Sequence, residues 1–385
     1  MFDYSTQLQK FFDKKITLPS EMRRMLLAHR KANADRLIGR LPELHPKIRI
    51  GESNFRSQGS FAMDTVIQAR FTYEEYDIDF GVVIRRSQLV KEDGTEMTVA
   101  QVRELVREAL KDGRFNRQPK LMTNCVRVFY ADEDDFAHHV DIPIYREFED
   151  ENGNAVTELA GENGWIRSNP TRVNEWIEEV VGEKNKRIAG SGSQMRRLVK
   201  FTKRFCRSRN ADTNADWDLP NGMKLTMLVA ECYAYRERDD EAIHALLTAL
   251  KNRLTWSSLE IANLADTNWP QAKLTKTTSD QNVVNLRDRL GEALTELSVL
   301  CSTDCDETKA RRAWDWVFQS DGFLKELEEE AKAEAKRKAL LEKAVLLSGG
   351  NAGTDRFGRI VAASATAVPN LAHAFYGEDF SATDK

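Results

Sequence analysis

Cysteine is scarce and unpaired in this chain: Cys125, Cys206, Cys232, Cys301 and Cys305 stand apart, with no Cys-x-x-Cys pair among them. That excludes a zinc ribbon or a disulfide framework as the organising device and points to a reduced cytoplasm. Long apolar runs are also missing. Asp3, Lys10, Asp13, Lys14 and Lys15 interrupt the first fifteen residues, and no run reaches membrane-spanning length, so neither a signal peptide nor an anchor is expected. Nor is there an excess of positive charge. A formal net charge of −4 argues against a surface that coats nucleic acid, since neutralising phosphates takes a surplus of Lys and Arg.

What is present is the composition of a soluble globular enzyme, with 41% hydrophobic and 31% charged residues in 385. That length can bury a large core and suggests two closely packed lobes. Pro19-Ser20 followed by Glu21 to Leu41 reads as a capped spine helix with Met22, Met25, Leu26, Ile38 and Leu41 on its apolar face. From Lys47 to Tyr145 the pattern turns to strands: Ile48 and Ile50, Tyr76 to Ile84, Asn124 to Tyr130 and His139 to Tyr145, with one helix at Val99 to Leu110. Glu151-Asn152-Gly153-Asn154 is a turn signal.

After Asn169-Pro170 the period is helical: Thr171 to Val181, Ser193 to Arg209, Met223 to Arg236, Asp240 to Leu254, Asp280 to Leu300 and Glu307 to Phe318. A last helix, Phe323 to Leu347, carries Glu328-Lys332 and Glu334-Lys338 pairs and stops at Gly349-Gly350. The expected division is a strand-rich core over residues 1–168, a helical lobe over 169–347 that completes a pocket, and a mobile tail over 348–385.

Three pieces carry chemistry: Gln58-Gly59-Ser60-Phe61 with Asp64-Thr65, then Asp77-Ile78-Asp79, then Val140-Asp141-Ile142. In a strand, residues two apart share a face, so Asp77 and Asp79 present their carboxylates together while Ile78 and Phe80 turn to the core. Oxygen donors so placed suit Mg²⁺. Asp141, in an apolar strand, supplies a third carboxylate, enough for two ions roughly 3.5–4 Å apart to steady a phosphoryl displacement. Alone, Asp-x-Asp is as readily a solvated turn. The upstream glycine and serine shift the balance, because Gly59 lets the backbone approach a phosphate and Ser60 adds a hydroxyl donor beside main-chain amides. A helix opened by Phe61 to Thr65 would aim free N–H groups at a triphosphate.

This set resembles the DNA polymerase β-like nucleotidyltransferases. With Val140 to Tyr145 and Gly164-Trp165-Ile166 through Pro170 included, it is similar more narrowly to the cGAS/DncV-like nucleotidyltransferases (CD-NTases) of bacterial anti-phage systems, over about Leu37 to Tyr235. The resemblance implies an α+β fold: a polymerase β-like core with a mixed sheet, an N-terminal spine helix and a C-terminal helical lobe. It further implies a cyclic oligonucleotide synthase that condenses nucleoside triphosphates, ATP among them, into a cyclic di- or trinucleotide second messenger with two Mg²⁺ ions. Asp77, Asp79 and Asp141 would hold metal and carry catalysis. Gln58, Gly59 and Ser60 would hold the donor triphosphate, with Lys203 and Thr226 contacting it from the helical lobe. A C-terminal conjugation partner or regulator is a further implication, with no membrane and no stable nucleic-acid partner. Where some relatives place an aromatic residue that stacks on a base, this chain has Ala62 and Met63.

Arg196, Lys200, Lys203 and Arg207, spaced four, three and four apart, form a basic stripe that suits a phosphate pocket, although Arg196 and Arg207 read equally well as a solvated face. His138-His139 reads as the start of a strand at the surface, and Trp314, Trp316 and Phe318 as packing rather than a binding face. Two other functions use the same acids or pocket. One is a nucleotidyltransferase with an RNA or protein acceptor, for which the chain offers no long basic surface; the other is a silent nucleotide-binding regulator, which would not need all three aspartates.

Overall fold

The computed structural model describes residues 1–69, 75–113, 115, 117–130, 138–185, 194–208, 218–267 and 271–320, and beyond them 325, 329, 332–340, 352–354, 360–362 and 368–369. Two compact units divide the chain, Met1–Ser320 and Asp321–Lys385.

The first unit begins with α1 (Ser5–Phe11), a π-turn over Phe12–Ile16, and α2 (Ser20–Leu44), the spine helix. Its apolar face is built from Met22, Leu26, Leu37 and Leu41, all buried. Leu37 takes the core position assigned to Ile38, which lies half-buried beside it. There follow β1 (Phe55–Gln58), the single turn α3 (Gly59–Ala62), β2 (Tyr76–Arg85), α4 (Val99–Leu110), β3 (Lys120–Leu121), β4 (Val126–Tyr130), β5 (His138–Ile142), β6 (Ile144–Glu149), β7 (Ala155–Gly161) and β8 (Gly164–Arg167). These make one mixed eight-stranded sheet in the order β3-β4-β5-β2-β6-β7-β8, with β1 added along β2.

The predicted strand His139 to Tyr145 is two strands, because Pro143 cannot donate to a ladder. On either side of it β5 and β6 both run parallel to β2, and Val82 N–H donates to the Pro143 carbonyl at 2.9 Å. Ile48 and Ile50 form no strand; they lie in the connection after α2. The turn expected at residues 151–154 joins β6 to β7, with the Asp150 carboxylate accepting from the Asn152 and Asn154 amides, both at 2.9 Å.

Alternation along β2 buries Tyr76, Ile78 and Phe80 in one apolar cluster with α2 and with Val102, Val106, Ala109 and Leu110 of α4. Burial of that face, at roughly 25 cal/mol per Å² of apolar surface, pins the strand's register, since a slip of one residue would turn Asp77 and Asp79 into the core.

The helices that follow are α5 (Arg172–Asn185), α6 (Gln194–Arg207), α7 (Gly222–Cys232), α8 (Asp239–Trp256), α9 (Gln281–Leu297) and α10 (Glu307–Phe318). All six expected helices are present; α10 keeps the predicted limits, α5, α7, α8 and α9 differ at their ends, and Ser193 and Arg209, the limits expected for α6, lie outside the described residues. Trp314 and Phe318 are buried, and Phe318 packs on Phe11 at 5.2 Å and Phe201 at 5.7 Å between ring centroids, so these aromatics are core. No described helix is long and apolar enough to cross a membrane.

In the second unit, residues 332–340 are helical and exposed, including Glu334 and Lys338; Glu328, Gly349 and Gly350 lie outside the described residues. The segment read as a tail contains three short antiparallel strands: β9 (Ala352–Thr354), with β10 (Ile360–Ala362) and β11 (Val368–Pro369) on its two sides.

Candidate active site

The parallel pairing of β2 with β5 places Asp77 opposite His139 and Asp79 opposite Asp141. Since residues two apart share a face, the four side chains form a square on the side of the sheet away from the apolar cluster. The antiparallel pairing of β5 with β4 adds a third column, setting Arg127 opposite Asp141. Arg127 grips that carboxylate with two hydrogen bonds, Nε to Oδ1 and Nη2 to Oδ2, both 2.7 Å. This is the fork geometry that orients a carboxylate most firmly.

On the other flank of β2, Gln58 pairs with Asp79, and the chain then turns at Gly59 with φ +67°. A Cβ at Gly59 would sit 1.9 Å from Asp79 Oδ2. Both the left-handed backbone and the contact therefore demand glycine. The helix expected from Phe61 to Thr65 is only the turn α3: Asp64 is left-handed at φ +53°, and Thr65 N–H returns to the Ser60 carbonyl at 2.8 Å.

A cavity of about 500 Å³ opens over this corner, with Gly59, Ser60, Asp77 and Asp79 on one wall and Lys203 and Arg207 on the other. Its far rim is Leu219 to Met223, where Asn221 caps α7 by accepting the Lys224 amide at 3.1 Å. A larger groove of about 730 Å³, lined among others by Arg56, Thr157 and Arg172, shares no lining residue with it and contains none of the three aspartates.

The two walls carry opposed electrostatic stress. Burial, then the charges of Asp77 and Asp141, push the Asp79 carboxyl up to about 7. Burial, then Arg207 and Lys200, pull the Lys203 ammonium down to about 7. Among the described residues Lys203 Nζ donates to neutral oxygens of Thr65, the carbonyl at 2.9 Å and the hydroxyl at 3.0 Å. Lys200 meets Asp64 at 3.4 Å, and Arg196 donates to the Met63 carbonyl and pairs with Glu178. The basic stripe is thus folded against the core, and Arg196 is not the solvated residue that helix period alone allowed.

Of the residues read from sequence, Gly59, Ser60, Asp77, Asp79 and Lys203 meet at the cavity, with Asp141 beside Asp79 in the sheet. Two do not line it. Gln58 is buried and donates from Nε2 to the Tyr145 hydroxyl at 2.9 Å and the Pro170 carbonyl at 3.0 Å. Thr226 is fully buried and spends its hydroxyl on the Gly222 carbonyl of its own helix at 2.7 Å.

The histidines differ from expectation. β5 is an interior strand, so both are buried rather than exposed at a strand start. His138 Nε2 lies 2.6 Å from His29 Nδ1 in a stack with Tyr130. His139 faces the square. Nδ1 lies 3.0 Å from Glu75 Oε2 and Nε2 lies 3.3 Å from Asp77 Oδ1. Burial, the largest influence, lowers this ring's pKa, but the direct contact with the Asp77 carboxylate and then its charge together outweigh it and the value is raised. Arg127 and His139 escaped sequence reading because cross-strand partners depend on the pairing, which no spacing along the chain reveals.

The donors fit a divalent cation. One atom each from Asp77, His139 and Asp141 lies within 4.8 Å of the others, and Asp77 Oδ1 and His139 Nε2 are buried atoms with no hydrogen-bond partner among the described residues.

Known proteins share the fold that carries this site. Residues 53–145 match the family described as "Cyclic GMP-AMP synthase DncV-like, nucleotidyltransferase domain". A cyclic GMP-AMP synthase of Escherichia albertii is 26% identical over 200 residues, 51% of this chain but only 40% of that protein's length. Among solved structures, the Vibrio cholerae DncV cyclic AMP-GMP synthase, a prokaryotic cGAS homolog, superposes with a TM-score of 0.62 at 15% identity, covering 83% of this chain and 96% of that one. The same enzyme in complex with a linear intermediate, 5′ pppA(3′,5′)pG, gives a TM-score of 0.60 at 17% identity, over 82% and 94% of the two chains. Residues 53–145 are thus a DncV-like nucleotidyltransferase domain, set in a chain with the α+β, polymerase β-like fold of the cGAS/DncV-like nucleotidyltransferases.

Proposed function

We propose that the protein is a metal-dependent cyclic oligonucleotide synthase that joins nucleoside triphosphates, ATP among them, into a cyclic di- or trinucleotide with release of pyrophosphate. The observation that carries this reading is the cavity whose walls oppose clustered carboxylates to a buried lysine that meets no carboxylate among the described residues, across the Gly59 turn. A metal–triphosphate complex relieves the stress on both walls together.

In this reading Gly59 and Ser60 lie against the donor triphosphate and Lys203 supplies charge to its phosphates, with Arg207 beside it. Asp77 and Asp79 would hold the metal ions, divalent and of the Mg²⁺ class, and Asp141, oriented by Arg127, would share one of them near the acceptor. Bound divalent ions neutralise the charge on the phosphoryl oxygens and ease loss of the acceptor hydroxyl's proton. The acceptor oxygen, its proton passing to the Asp141 carboxylate and on to water, forms a bond to the α-phosphorus, the bond from that phosphorus to the β-phosphate oxygen breaks, and pyrophosphate departs. A second such step, within the linear product, closes the ring. The buried Gln58 and Thr226 support the walls.

The V. cholerae protein of the same fold seen with a linear two-nucleotide intermediate supports this order of events. The resemblance to CD-NTases further supports a role in anti-phage signalling in the cytoplasm, and a C-terminal segment open to conjugation. Deleting residues 349–385 should then leave turnover of purified protein intact.

Labelled ATP, GTP, CTP and UTP incubated with the full chain and Mg²⁺, then treated with phosphatase, should leave protected label in a small product whose mass identifies the ring. Label recovered only on added RNA or protein would instead assign a macromolecular acceptor, and no turnover under any NTP combination would assign a silent nucleotide-binding regulator.

A further inference from the structure

We propose that His139 is a nitrogen ligand of the metal centre, making it a mixed nitrogen and oxygen site that prefers Mn²⁺ over Mg²⁺. This rests on the metal-dependent reading of the same site and adds to the three carboxylates a donor of different chemistry.

The argument starts from the register. Asp77 and His139 are direct neighbours across β2 and β5, and His139 shares its face with Asp141 two residues on. The ring has little freedom, its side chain being 9% exposed. Glu75 Oε2, 3.0 Å from Nδ1, selects that nitrogen as the proton carrier and leaves the Nε2 lone pair aimed at the square. A carboxylate behind one ring nitrogen with the other nitrogen free is the arrangement that orients metal-binding histidines.

Nε2 then faces Asp77 Oδ1 at 3.3 Å, and neither atom has a hydrogen-bond partner among the described residues. With Nε2 unprotonated the two lone pairs face each other and repel, unless a cation sits between them. The spacing suits one: adjacent donors about 2.1 Å from an octahedral ion lie about 3 Å apart. Mg²⁺ is a hard ion that favours oxygen and dehydrates reluctantly, whereas Mn²⁺ takes the same oxygen ligands and, as a first-row transition ion, tolerates one imidazole nitrogen among them better than Mg²⁺ does. The competing arrangement is an imidazolium that bridges Glu75 and Asp77 as an internal cation and never touches metal.

Mn²⁺ added to the full-length protein without nucleotide separates these. Electron spin-echo modulation should show a nitrogen coupled to the bound Mn²⁺, and it should vanish in His139→Gln. That variant should also bind Mn²⁺ about 10- to 100-fold more weakly, the usual cost of losing a ligand or its support, with a smaller loss for Mg²⁺. If Mn²⁺ binds and depends on Asp77 and Asp141, yet wild-type protein shows no nitrogen coupling, the inference about His139 is wrong while the metal site stands. If Asp77→Asn and Asp141→Asn leave Mn²⁺ binding unchanged, the metal-centre reading itself is wrong. The wild-type spectrum needs no variant to fold, so instability of His139→Gln does not blunt the test.

Discussion

The two walls of the cavity are built by different means. The acidic wall is laid out by a sheet: Asp77 and Asp79 on β2, His139 and Asp141 on β5, each placed by a hydrogen-bonded register. The basic wall comes from α6, whose Lys203 reaches its position because the helix packs almost wholly buried against its neighbours. A sheet fixes side-chain spacing locally, whereas a helical wall depends on tertiary packing. The two also fail differently. The acidic wall holds too much negative charge, the basic wall too much positive, and the Asp79 carboxyl and Lys203 ammonium are both driven to about 7.

The largest effects should come from the sheet. Asp77→Asn, Asp79→Asn and Asp141→Asn each remove a charge that the proposed metal site uses, with little change in size. Each should lower kcat by about a thousandfold or more, since metal stabilisation of phosphoryl-transfer charge is worth several kcal/mol. Circular dichroism should be unchanged, and relief of Asp79 crowding should leave the melting temperature equal or higher. Near-normal turnover in any one variant would remove that residue from the centre.

Gly59→Ala tests the same wall without touching a charge. A Cβ 1.9 Å from Asp79 Oδ2, on a backbone at φ +67°, forces the carboxylate or the turn to move. Activity should fall about a hundredfold, as misplacements near 1 Å do, with all three aspartates intact. Retained activity would show that the turn is not coupled to Asp79.

The contrast explains what could be read from the chain in advance. The acids were legible because strand alternation makes the Asp77-Ile78-Asp79 pattern local, and the Val99 to Leu110 helix because Thr98 and Gln101 form a capping box at its start. His139 was misread because burial of β5 follows from its place between β4 and β2, a property of topology. Arg127 lies fourteen residues before Asp141 and meets it only through a hairpin register. On α6 the period was correct and the environment was not: nothing local says that Arg196 will find Glu178 and the Met63 carbonyl. The strands of residues 352–369 are two or three residues long, too short for alternation to register.

The basic wall should give smaller effects with a different pH signature. Lys203 is charged below about 7 and neutral above it when no ligand is present. A triphosphate favours the charged form, so binding above that pH takes up a proton and weakens as pH rises, by up to about tenfold per unit. Titrating a fluorescent ATP analogue from pH 6 to pH 9 without metal should show that slope in the wild type. Asp79 ionises over the same range and adds to the slope, so Lys203→Ala should raise the dissociation constant at pH 6 and keep only a shallower slope, which Asp79→Asn in the same background should remove. A slope unchanged by the substitution would move the effect to another group.

The smallest effect is expected behind that wall, at Thr226. Its hydroxyl donates to the Gly222 carbonyl, so the atom that could meet a phosphate is already engaged within α7 and buried. Gly222 is also the residue against which Lys203 packs, since a Cβ there would lie 3.0 Å from Lys203 Cε. Thr226 therefore bears on the pocket through the opening turn of α7 and not through a contact of its own. Thr226→Val keeps the shape and removes one hydrogen bond within the helix, which should cost about 1 kcal/mol of stability and leave the KM for nucleotide within about twofold. Thr226→Ser, which keeps the hydroxyl, should restore the hydrogen bond but lose the packing of a methyl group. A rise of tenfold or more in KM for Val that Ser reverses would mean the hydroxyl turns from Gly222 to the triphosphate when nucleotide binds, and would make the helical wall as directly chemical as the sheet.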